Sequence, residues 1–307
     1  MKVFVTGGTG AIGRHVVPAL IARGHEVTAL ARTPDKAAAL TAQGAGTTSV
    51  SLFERAALAE AFAGHDAVTN LATAIPSTMR FVSSKAWREN HRVRAEGSAA
   101  VADAALAAGV DRLLQESVCM LYHDRGSEWI DEDAPVDPYP IARSNIAAET
   151  NAHRFTEAGG TGIVLRFGLF YGPGAAHSEQ MFAQARHHIG FVLGRGDGYL
   201  SSIHLADAAS AVISALDAPS GTYNVVDDRP LTMREYADAL AEAAGKAMWL
   251  RVPGRAAALL GDRLTSLTRS LRVSNARFRA ATGWAPRYPS AREGWLATAA
   301  ALAERAG

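Results

Sequence analysis

The chain has 307 residues, 48% of them hydrophobic, and this length supplies enough apolar surface for one large domain or two modest ones. Lys and Arg total 31 against 30 Asp and Glu, and a net charge of +1 argues against nucleic acid or an anionic membrane as the main partner. The single cysteine, the lack of a leader-like start and the lack of a long apolar run predict a cytoplasmic protein without disulfides.

Strand-like and helix-like segments alternate through the first two-thirds of the chain. Short apolar runs rich in β-forming residues predict strands at 2–6, 26–31, 67–71, 112–116 and 162–167. Alanine-rich stretches with helical spacing, such as 16–23 and 97–108, lie between them. This alternation predicts an α/β fold with a doubly wound parallel sheet. The alternation of strands and helices is weaker after Tyr171, apart from one more predicted strand at 222–226. This change predicts a smaller C-terminal substrate lobe.

A glycine-rich turn follows the first strand. Residues 6–13 read T-G-G-T-G-A-I-G and satisfy both G-x-G-x-x-G and T-G-x-x-G-x-x-G. Glycine permits the tight turn, the approach of backbone N–H groups to a pyrophosphate at the helix N-terminus, and close packing of helix on strand. The turn therefore predicts a Rossmann-type dinucleotide site, against the alternative of a turn without ligand. The predicted binding residues are Gly7, Thr9, Gly10, Ala11, Ile12 and Gly13.

The end of the second strand indicates which dinucleotide binds. An NAD site usually has Asp or Glu at this point to bind the ribose 2′-OH. Here the strand ends L-A-R-T, with no carboxylate before Asp35, and Arg32 presents a guanidinium suited to a 2′-phosphate. The sequence therefore favours NADPH, with a solvated surface arginine as the alternative reading of Arg32.

Several further segments, in this order, resemble the extended branch of the short-chain dehydrogenase/reductase family over nearly the whole chain. They are H-D-A-V-T-N-L-A at 65–72, L-R-F-G-L-F-Y-G-P-G at 165–174, H-L-A-D-A-A at 204–209 and G-W-A-P at 283–286. The resemblance implies a nucleotide domain at 1–170 and about 203–227, and a substrate lobe at 171–202 and 228–307. It also implies further cofactor contacts by Leu52, Leu71, Ala72, Thr73, Asn145, Phe167 and Leu169.

The three residues that normally carry the family's chemistry are replaced here. The family uses a Ser or Thr, a Tyr and a Lys, and alignment on its Tyr-x-x-Ser-Lys helix puts Ile141 at the tyrosine position and Asn145 at the lysine position. Counting back from Tyr122, the hydroxyl position falls on Val118, one residue after Ser117. With these positions replaced, the neighbouring hydroxyl groups of Ser117 and Tyr122 are the catalytic candidates that remain.

A shifted register would pair Tyr139 with Arg143 at the same four-residue spacing. Tyr139 lies between Pro138 and Pro140, and each proline disfavours helix at the residue before it, so this pair is expected before the helix rather than along it. Arg143 can also serve only as a fixed cation, because a guanidinium keeps its proton.

Hydride transfer is carried by the cofactor, so the loss of a general acid lowers the rate without abolishing the reaction. The proton can come from the substrate or from water. The sequence therefore predicts an NADPH-dependent reductase of a ketone or quinone on a bulky, aromatic-polyketide-like small molecule, as in antibiotic biosynthesis. The alternatives are a redox-inactive NADP-binding regulator and a sugar-nucleotide-type epimerase or dehydratase. No metal is expected, and the sequence leaves monomer and dimer open.

Overall fold

The computed structural model describes residues 1–81, 83–137, 139–140, 142–193, 195–247, 250–254 and 265–305. In chain order, the strands are β1 Lys2–Thr6, β2 Glu26–Leu30, β3 Gly46–Thr48, β4 Ala67–Asn70, β5 Arg112–Val118, β6 Trp129–Ile130, β7 Thr161–Phe167, β8 Leu169–Tyr171, β9 Ile189–Leu193, β10 Tyr199–Leu200, β11 Ser202–His204, β12 Gly221–Val225, β13 Leu231–Thr232, β14 Leu250–Gly254 and β15 Arg272–Val273. The α-helices are α1 Gly13–Ala22, α2 Pro34–Thr41, α3 Arg55–Phe62, α4 Arg88–Arg92, α5 Ser98–Ala107, α6 Arg143–Glu157, α7 Ala176–Arg186, α8 Leu205–Ala215, α9 Met233–Ala243, α10 Thr265–Thr268, α11 Ala276–Thr282 and α12 Ala291–Glu304.

Seven strands form one sheet in the order β12-β7-β5-β4-β1-β2-β3. The pairs β1–β2, β1–β4, β2–β3 and β4–β5 are parallel. The strands nearest the centre are buried on both faces, as expected for a sheet covered by helices, and all four residues of β4 are buried. The predicted doubly wound α/β fold is confirmed.

The chain divides into two compact units. The first unit comprises Met1–Ser117, Ile141–Arg166 and Ala209–Tyr223, and the second comprises Val118–Pro140, Phe167–Ala208 and Asn224–Gly307. The sequence-based boundaries differ from these mainly in placing 118–140 with the nucleotide domain.

The core of the first unit lies between the sheet and α3 and α5. Phe4 from β1 packs edge-on against Phe62 from α3, with ring centroids 4.7 Å apart, and Leu113 from β5 is buried in the same cluster. The small side chains of α5 allow close approach to α3, because four of its alanines are buried there. This packing fixes the sheet from which the candidate site projects.

An aromatic cluster forms a core of the second unit. Trp295 of α12 is fully buried, with Tyr171 at 5.5 Å, Tyr236 at 6.0 Å and Phe182 at 6.4 Å between ring centroids. Helix α9, which carries Tyr236, begins with a capping box at Thr232 that satisfies free backbone N–H groups of its first turn. Within the described part of the chain, no helix has the length and hydropathy needed to cross a bilayer.

Candidate functional site

The glycine turn between β1 and α1 is shaped by contacts that exclude side chains. Gly7 has φ of +72°, and a Cβ there would lie 2.5 Å from the carbonyl oxygen of Leu71. A Cβ on Gly13 would overlap the carbonyl oxygen of Gly7, and the backbone N–H of Gly10 donates to that same oxygen at 2.9 Å. The chain therefore folds back tightly here, with Ala11 and the buried Ile12 completing the turn into α1.

The segment after β4 borders this turn, and Asn70 fixes it. The Asn70 Oδ1 atom accepts from the Thr6 hydroxyl at 2.5 Å and from the backbone N–H of Ala72 at 3.4 Å, while its Nδ2 donates to Gln115 at 2.8 Å. Sequence reasoning had not singled out Asn70. Leu71 is buried, and Ala72 and Thr73 are half-buried, so the three predicted contacts line the carboxyl edge of the sheet.

A cleft of about 370 Å³ opens beside the turn, between α1 and α2. Its lining includes Thr9 from the turn and two cations, Arg14 of α1 and Lys36 of α2. The Thr33 side chain caps α2 by accepting from the Lys36 backbone N–H, which fixes the first turn of that helix. The guanidinium of Arg32, just after β2, is exposed. Arg14 and Lys36 were missed because each stands on a helix and belongs to no motif.

These features fit the phosphates of a dinucleotide. At Gly7 and Gly13 the turn leaves no room for a side chain, and the N-terminus of α1 supplies positive potential. The adjacent cleft carries two cations, Arg14 and Lys36, against one carboxylate, Asp35. The chain's own residues thus provide for both a pyrophosphate and a further anionic group.

Asn145 occupies the first turn of α6, at the family's lysine position. Its side chain is 6% exposed, and among the described residues its Oδ1 has no hydrogen-bond partner. A buried amide oxygen is costly to leave without a donor, so this atom is available to a ligand hydroxyl. Ile141, the tyrosine position, lies outside the described residues.

The remaining predicted cofactor contacts lie in separate places. Leu52 is half-buried against the π-helical turn Val93–Gly97, where a Cβ on Gly97 would come within 2.8 Å of it. In the second unit, Phe167 is fully buried and lies 5.2 Å from the Phe170 ring, while Leu169 is half-buried in β8. Their contact with a cofactor stays a prediction.

Ser117 is part of a buried ionic network in the first unit. Its hydroxyl donates to the Glu149 carboxylate at 2.6 Å, and the Arg166 guanidinium holds the same carboxylate through bonds of 2.9 and 2.6 Å. Next to Ser117, Glu116 pairs with the buried Arg94 at 2.7 Å. The Ser117 hydroxyl is thus engaged in cross-linking β5, β7 and α6.

The two tyrosine candidates bond to groups within the second unit. The Tyr122 hydroxyl, fully buried, donates to Asn224 Oδ1 at 2.8 Å, and that of Tyr139 donates to the Met120 carbonyl at 3.2 Å. The Arg269 guanidinium lies 4.8 Å from the Tyr139 ring centre and bonds to the Tyr122 carbonyl at 2.8 Å and to Asp137. Val118, at the position of the family's serine or threonine, is the last residue of β5, and its aliphatic side chain has no hydroxyl group that could donate a proton.

Tyr139 precedes α6, as the flanking prolines predict, and Arg143 is the first residue of that helix. The two residues therefore do not stand one turn apart on a common helix, which removes the geometric basis of the shifted register.

His91 is a further titratable group at the carboxyl edge of the sheet, and it was not singled out in the sequence. It lies on α4, is half-buried, and its Nδ1 is 2.9 Å from the Ser144 hydroxyl on α6. Burial, and then the charge of Arg94, lower the pKa of its imidazole below the ordinary value. A histidine could be found from sequence only by its type, since no motif surrounds it.

Residues 3–226 match the family model described as the NAD dependent epimerase/dehydratase family. The chain belongs to this family, as the resemblance implied, and is therefore an NAD(P)-binding protein of the reductase or epimerase class.

Relatives with described activities extend the match. The chain is 33% identical over 305 residues to a 3-diazoavenalumate denitrifying reductase of Streptomyces sp., covering 96% of this chain and 99% of that protein. It is 30% identical over 276 residues, 86% of this chain and 80% of the relative, to the 4-hydroxy-2-methyl-3-oxo-4-farnesyl-3,4-dihydroquinoline-1-oxide ketoreductase of Stigmatella aurantiaca. A crystal structure of the human epimerase family protein SDR39U1 with NADPH superposes with a TM-score of 0.81 at 25% identity, covering 98% of this chain and 99% of that one.

Proposed function

We propose that the protein is an NADPH-dependent reductase that delivers hydride to a ketone or quinone carbonyl of a bulky, aromatic small molecule. The observation that carries the proposal is the combination of a built dinucleotide turn with cations beside it and no phenol at the family's tyrosine position. The ketoreductase and denitrifying reductase among its relatives support the reductase class over the epimerase class.

The choice of NADPH rests on charge. Arg32 follows β2 where an NAD site usually carries a carboxylate, and Lys36 and Arg14 line the adjoining cleft. Arginine and lysine both bind phosphate, and arginine does so through two parallel bonds. The solved relative that binds NADPH is consistent with this assignment.

The bound nicotinamide supplies the hydride, and the chain's own residues hold and orient the reactants. Asn145 would accept a hydrogen bond from a ribose hydroxyl through its buried Oδ1, in place of the family's lysine; this atom has no hydrogen-bond partner among the described residues. Losing a positioned acid costs about 10²–10⁴ in rate, so the substrate's own phenol or enol, or water, has to supply the proton to the carbonyl oxygen.

The cofactor assignment is tested with Arg32→Asp. Removing a charged partner of a phosphate costs about 1.5–3 kcal/mol, so we expect the Kd for NADPH to rise about 10–100-fold while that for NADH changes little. Fluorescence titration of both nucleotides measures this. Arg234→Asp, the same charge change at an exposed position of α9, is the matched control. An unchanged ratio of the two Kd values in Arg32→Asp would contradict the assignment.

The reaction is tested with NADPH deuterated at the transferred position and two probes, phenanthrenequinone and α-tetralone. Mass spectrometry of the products is expected to show deuterium delivered to the carbonyl carbon of α-tetralone, and absorbance to show oxidation of NADPH by the quinone. If NADPH binds but no hydride leaves it for either probe, the redox-inactive regulator becomes the better description.

One observation favours a second candidate, the reductive removal of an aryl diazo group. The relative most similar over the whole chain among those described above is a denitrifying reductase of a diazo compound. In such a reaction hydride forms the new C–H bond, the C–N bond breaks, and its electron pair leaves with N₂, so no proton is required. This chemistry suits a site with Val118 and Asn145 at acid–base positions. Incubation with a simple aryl diazonium salt and deuterated NADPH should then release N₂ and leave deuterium on the ring.

A further inference from the structure

We propose that His91 is the residue that exchanges the reaction's proton with the substrate oxygen, taking over the role of the absent tyrosine. This inference rests on the proposed carbonyl reduction. It names a group in the first unit that lies at none of the family's three catalytic positions, and it assigns the proton transfer to Nε2 of the imidazole.

The backbone around His91 is held in place at the carboxyl edge of the sheet. The preceding residue, Asn90, is buried, and its Oδ1 accepts from the backbone N–H of Ala74, in the segment that follows β4. The indole of Trp87 donates to the Phe81 carbonyl at 2.7 Å and packs edge-on against the Phe81 ring. These contacts anchor α4 beside the edge at which parallel sheets bind their ligands.

Ser144 fixes the orientation of the imidazole. Its hydroxyl lies 2.9 Å from Nδ1, so Nε2 is the ring nitrogen left to exchange a proton with a bound molecule. Ser144 is buried on the first turn of α6 and precedes Asn145, whose Oδ1 is buried without a partner among the described residues and is the atom proposed above to accept from the cofactor. An imidazole with one ring nitrogen hydrogen-bonded to a hydroxyl and the other directed away from it has the arrangement expected of a general acid or base.

Among the described residues, charged side chains lie on each segment next to His91, and on α4 these include the exposed Arg88, one turn before it. From the following turn, Arg94 acts on the ring, and its own charge is paired with Glu116 at 2.7 Å. On α4, Arg92 pairs with Glu96 at 3.2 Å and Glu89 is exposed. From α6 the facing group is the uncharged Ser144, with the exposed Arg143 before it, and from the turn before α4 it is the Trp87 ring, 6.3 Å away between ring centres.

Burial and Arg94 lower the pKa of the ring, so the imidazole is mostly neutral at neutral pH. In the oxidising direction, neutral Nε2 takes the proton of the alcohol O–H bond while the C–H electron pair leaves as hydride to NADP⁺. In the reducing direction, hydride forms the C–H bond, the carbonyl π pair moves to oxygen, and imidazolium Nε2 supplies the proton. Solvent then restores the protonation state of the ring.

The test compares the wild type with His91→Gln and His91→Asn, using α-tetralol oxidation and α-tetralone reduction between about pH 5.5 and 8.5. The wild-type kcat for oxidation should rise with pH through the imidazole pKa, and that for reduction should fall. In both variants this pH dependence of kcat should disappear and kcat should fall about 10²-fold, while the Kd for NADPH stays unchanged. Added imidazole should restore part of the His91→Gln rate, and Ser144→Ala should lower kcat to a smaller extent.

The outcomes are separable. If the wild type transfers hydride and the His91 variants keep the same kcat and the same pH dependence of kcat, the role of His91 is overturned. The proposed function then still stands. Wild-type NADPH binding without any hydride transfer would overturn the proposed function itself. If a His91 variant fails to fold, as NADPH binding and thermal unfolding would show, the same pH dependence must be lost in the other His91 variant for the inference to survive.

Discussion

The Glu149 carboxylate connects three elements of the first unit through one side chain. It accepts from Ser117 on β5 and forms a two-bond ion pair with Arg166 on β7, and the side chains of Arg166 and Glu149 are 8% and 6% exposed. Charges at this depth are tolerated only with their partners in place, because desolvation removes the stabilisation that water gives each ion. The Ser117 hydroxyl, a catalytic candidate in the sequence, therefore also holds this pair together.

Glu149→Gln should destabilise the chain by about 3–5 kcal/mol, because it removes the carboxylate charge that the buried Arg166 guanidinium holds through two hydrogen bonds. Urea unfolding followed by circular dichroism measures the change. The control is Glu128→Gln, which breaks the exposed pair with Arg125, and the expected effect there is below about 1 kcal/mol. Equal losses in the two variants would show that the buried pair is not a special source of stability.

Single residues were the hardest level to predict from sequence. Asn70 acts through a contact with Gln115, 45 residues along the chain, and Arg14 and Lys36 line one cleft from two different helices, so none of the three leaves a local sequence pattern. Asn145 could be singled out from sequence because it falls within a helix motif, and its role stays a prediction. The burial of its Oδ1 without a partner among the described residues depends on how α6 packs.

At the scale of elements, β1, its turn and α1 act as one rigid piece. The carbonyl of Gly7 accepts from the Gly10 backbone and sits against Gly13, so the turn and the first residue of α1 share a single contact. The same backbone is the phosphate-binding surface in the function proposed above. On that proposal, the atoms that pack the turn are also those that bind the ligand.

Gly13→Ala should weaken NADPH binding by at least about 10-fold and lower stability, because its methyl group would overlap the Gly7 carbonyl and push α1 off the turn. Isothermal titration and thermal unfolding report the two effects. Gly46→Ala on β3 is the control, since a Cβ there meets nothing closer than 3.6 Å. Normal NADPH binding by Gly13→Ala would mean that the turn is not the phosphate site.

Elements with strong local patterns were predicted well. The first strand was predicted at 2–6 and is β1, Lys2–Thr6; the helix predicted at 97–108 is α5, Ser98–Ala107. β3, Gly46–Thr48, was missed because three residues are too few for an alternation to register, and its position depends on pairing with β2. Other bounds differ by a few residues: the strand predicted at 112–116 is β5, Arg112–Val118, and the helix predicted at 16–23 is α1, Gly13–Ala22.

At the scale of the whole molecule, stability depends on pH through a carboxyl group that water does not reach. Asp227 is 1% exposed and accepts from the Ser202 hydroxyl at 2.9 Å. Burial raises the pKa of this carboxyl well above its ordinary value. Because the folded state holds this proton to a higher pH than the unfolded chain does, the contribution of Asp227 to stability declines as pH rises between the two pKa values.

Asp227→Asn should remove this decline, because an amide stays neutral and can still accept from Ser202. The difference in unfolding free energy between variant and wild type is expected to shift in favour of the variant as pH rises from about 4 to 8. Urea midpoints measured across that range give the difference. A constant difference would show that Asp227 does not titrate within it. Asp228→Asn, at the partly exposed neighbouring position, is the matched control.

Arg32 lies exposed just after the end of β2, whereas a Cβ at Gly7 or Gly13 of the glycine turn would overlap backbone atoms. Substitutions at exposed sites usually change folding free energy by less than about 0.5 kcal/mol. If Arg32 binds the 2′-phosphate as proposed, a substitution at this one surface position would change the preference between NADPH and NADH and leave the backbone of the turn as it is.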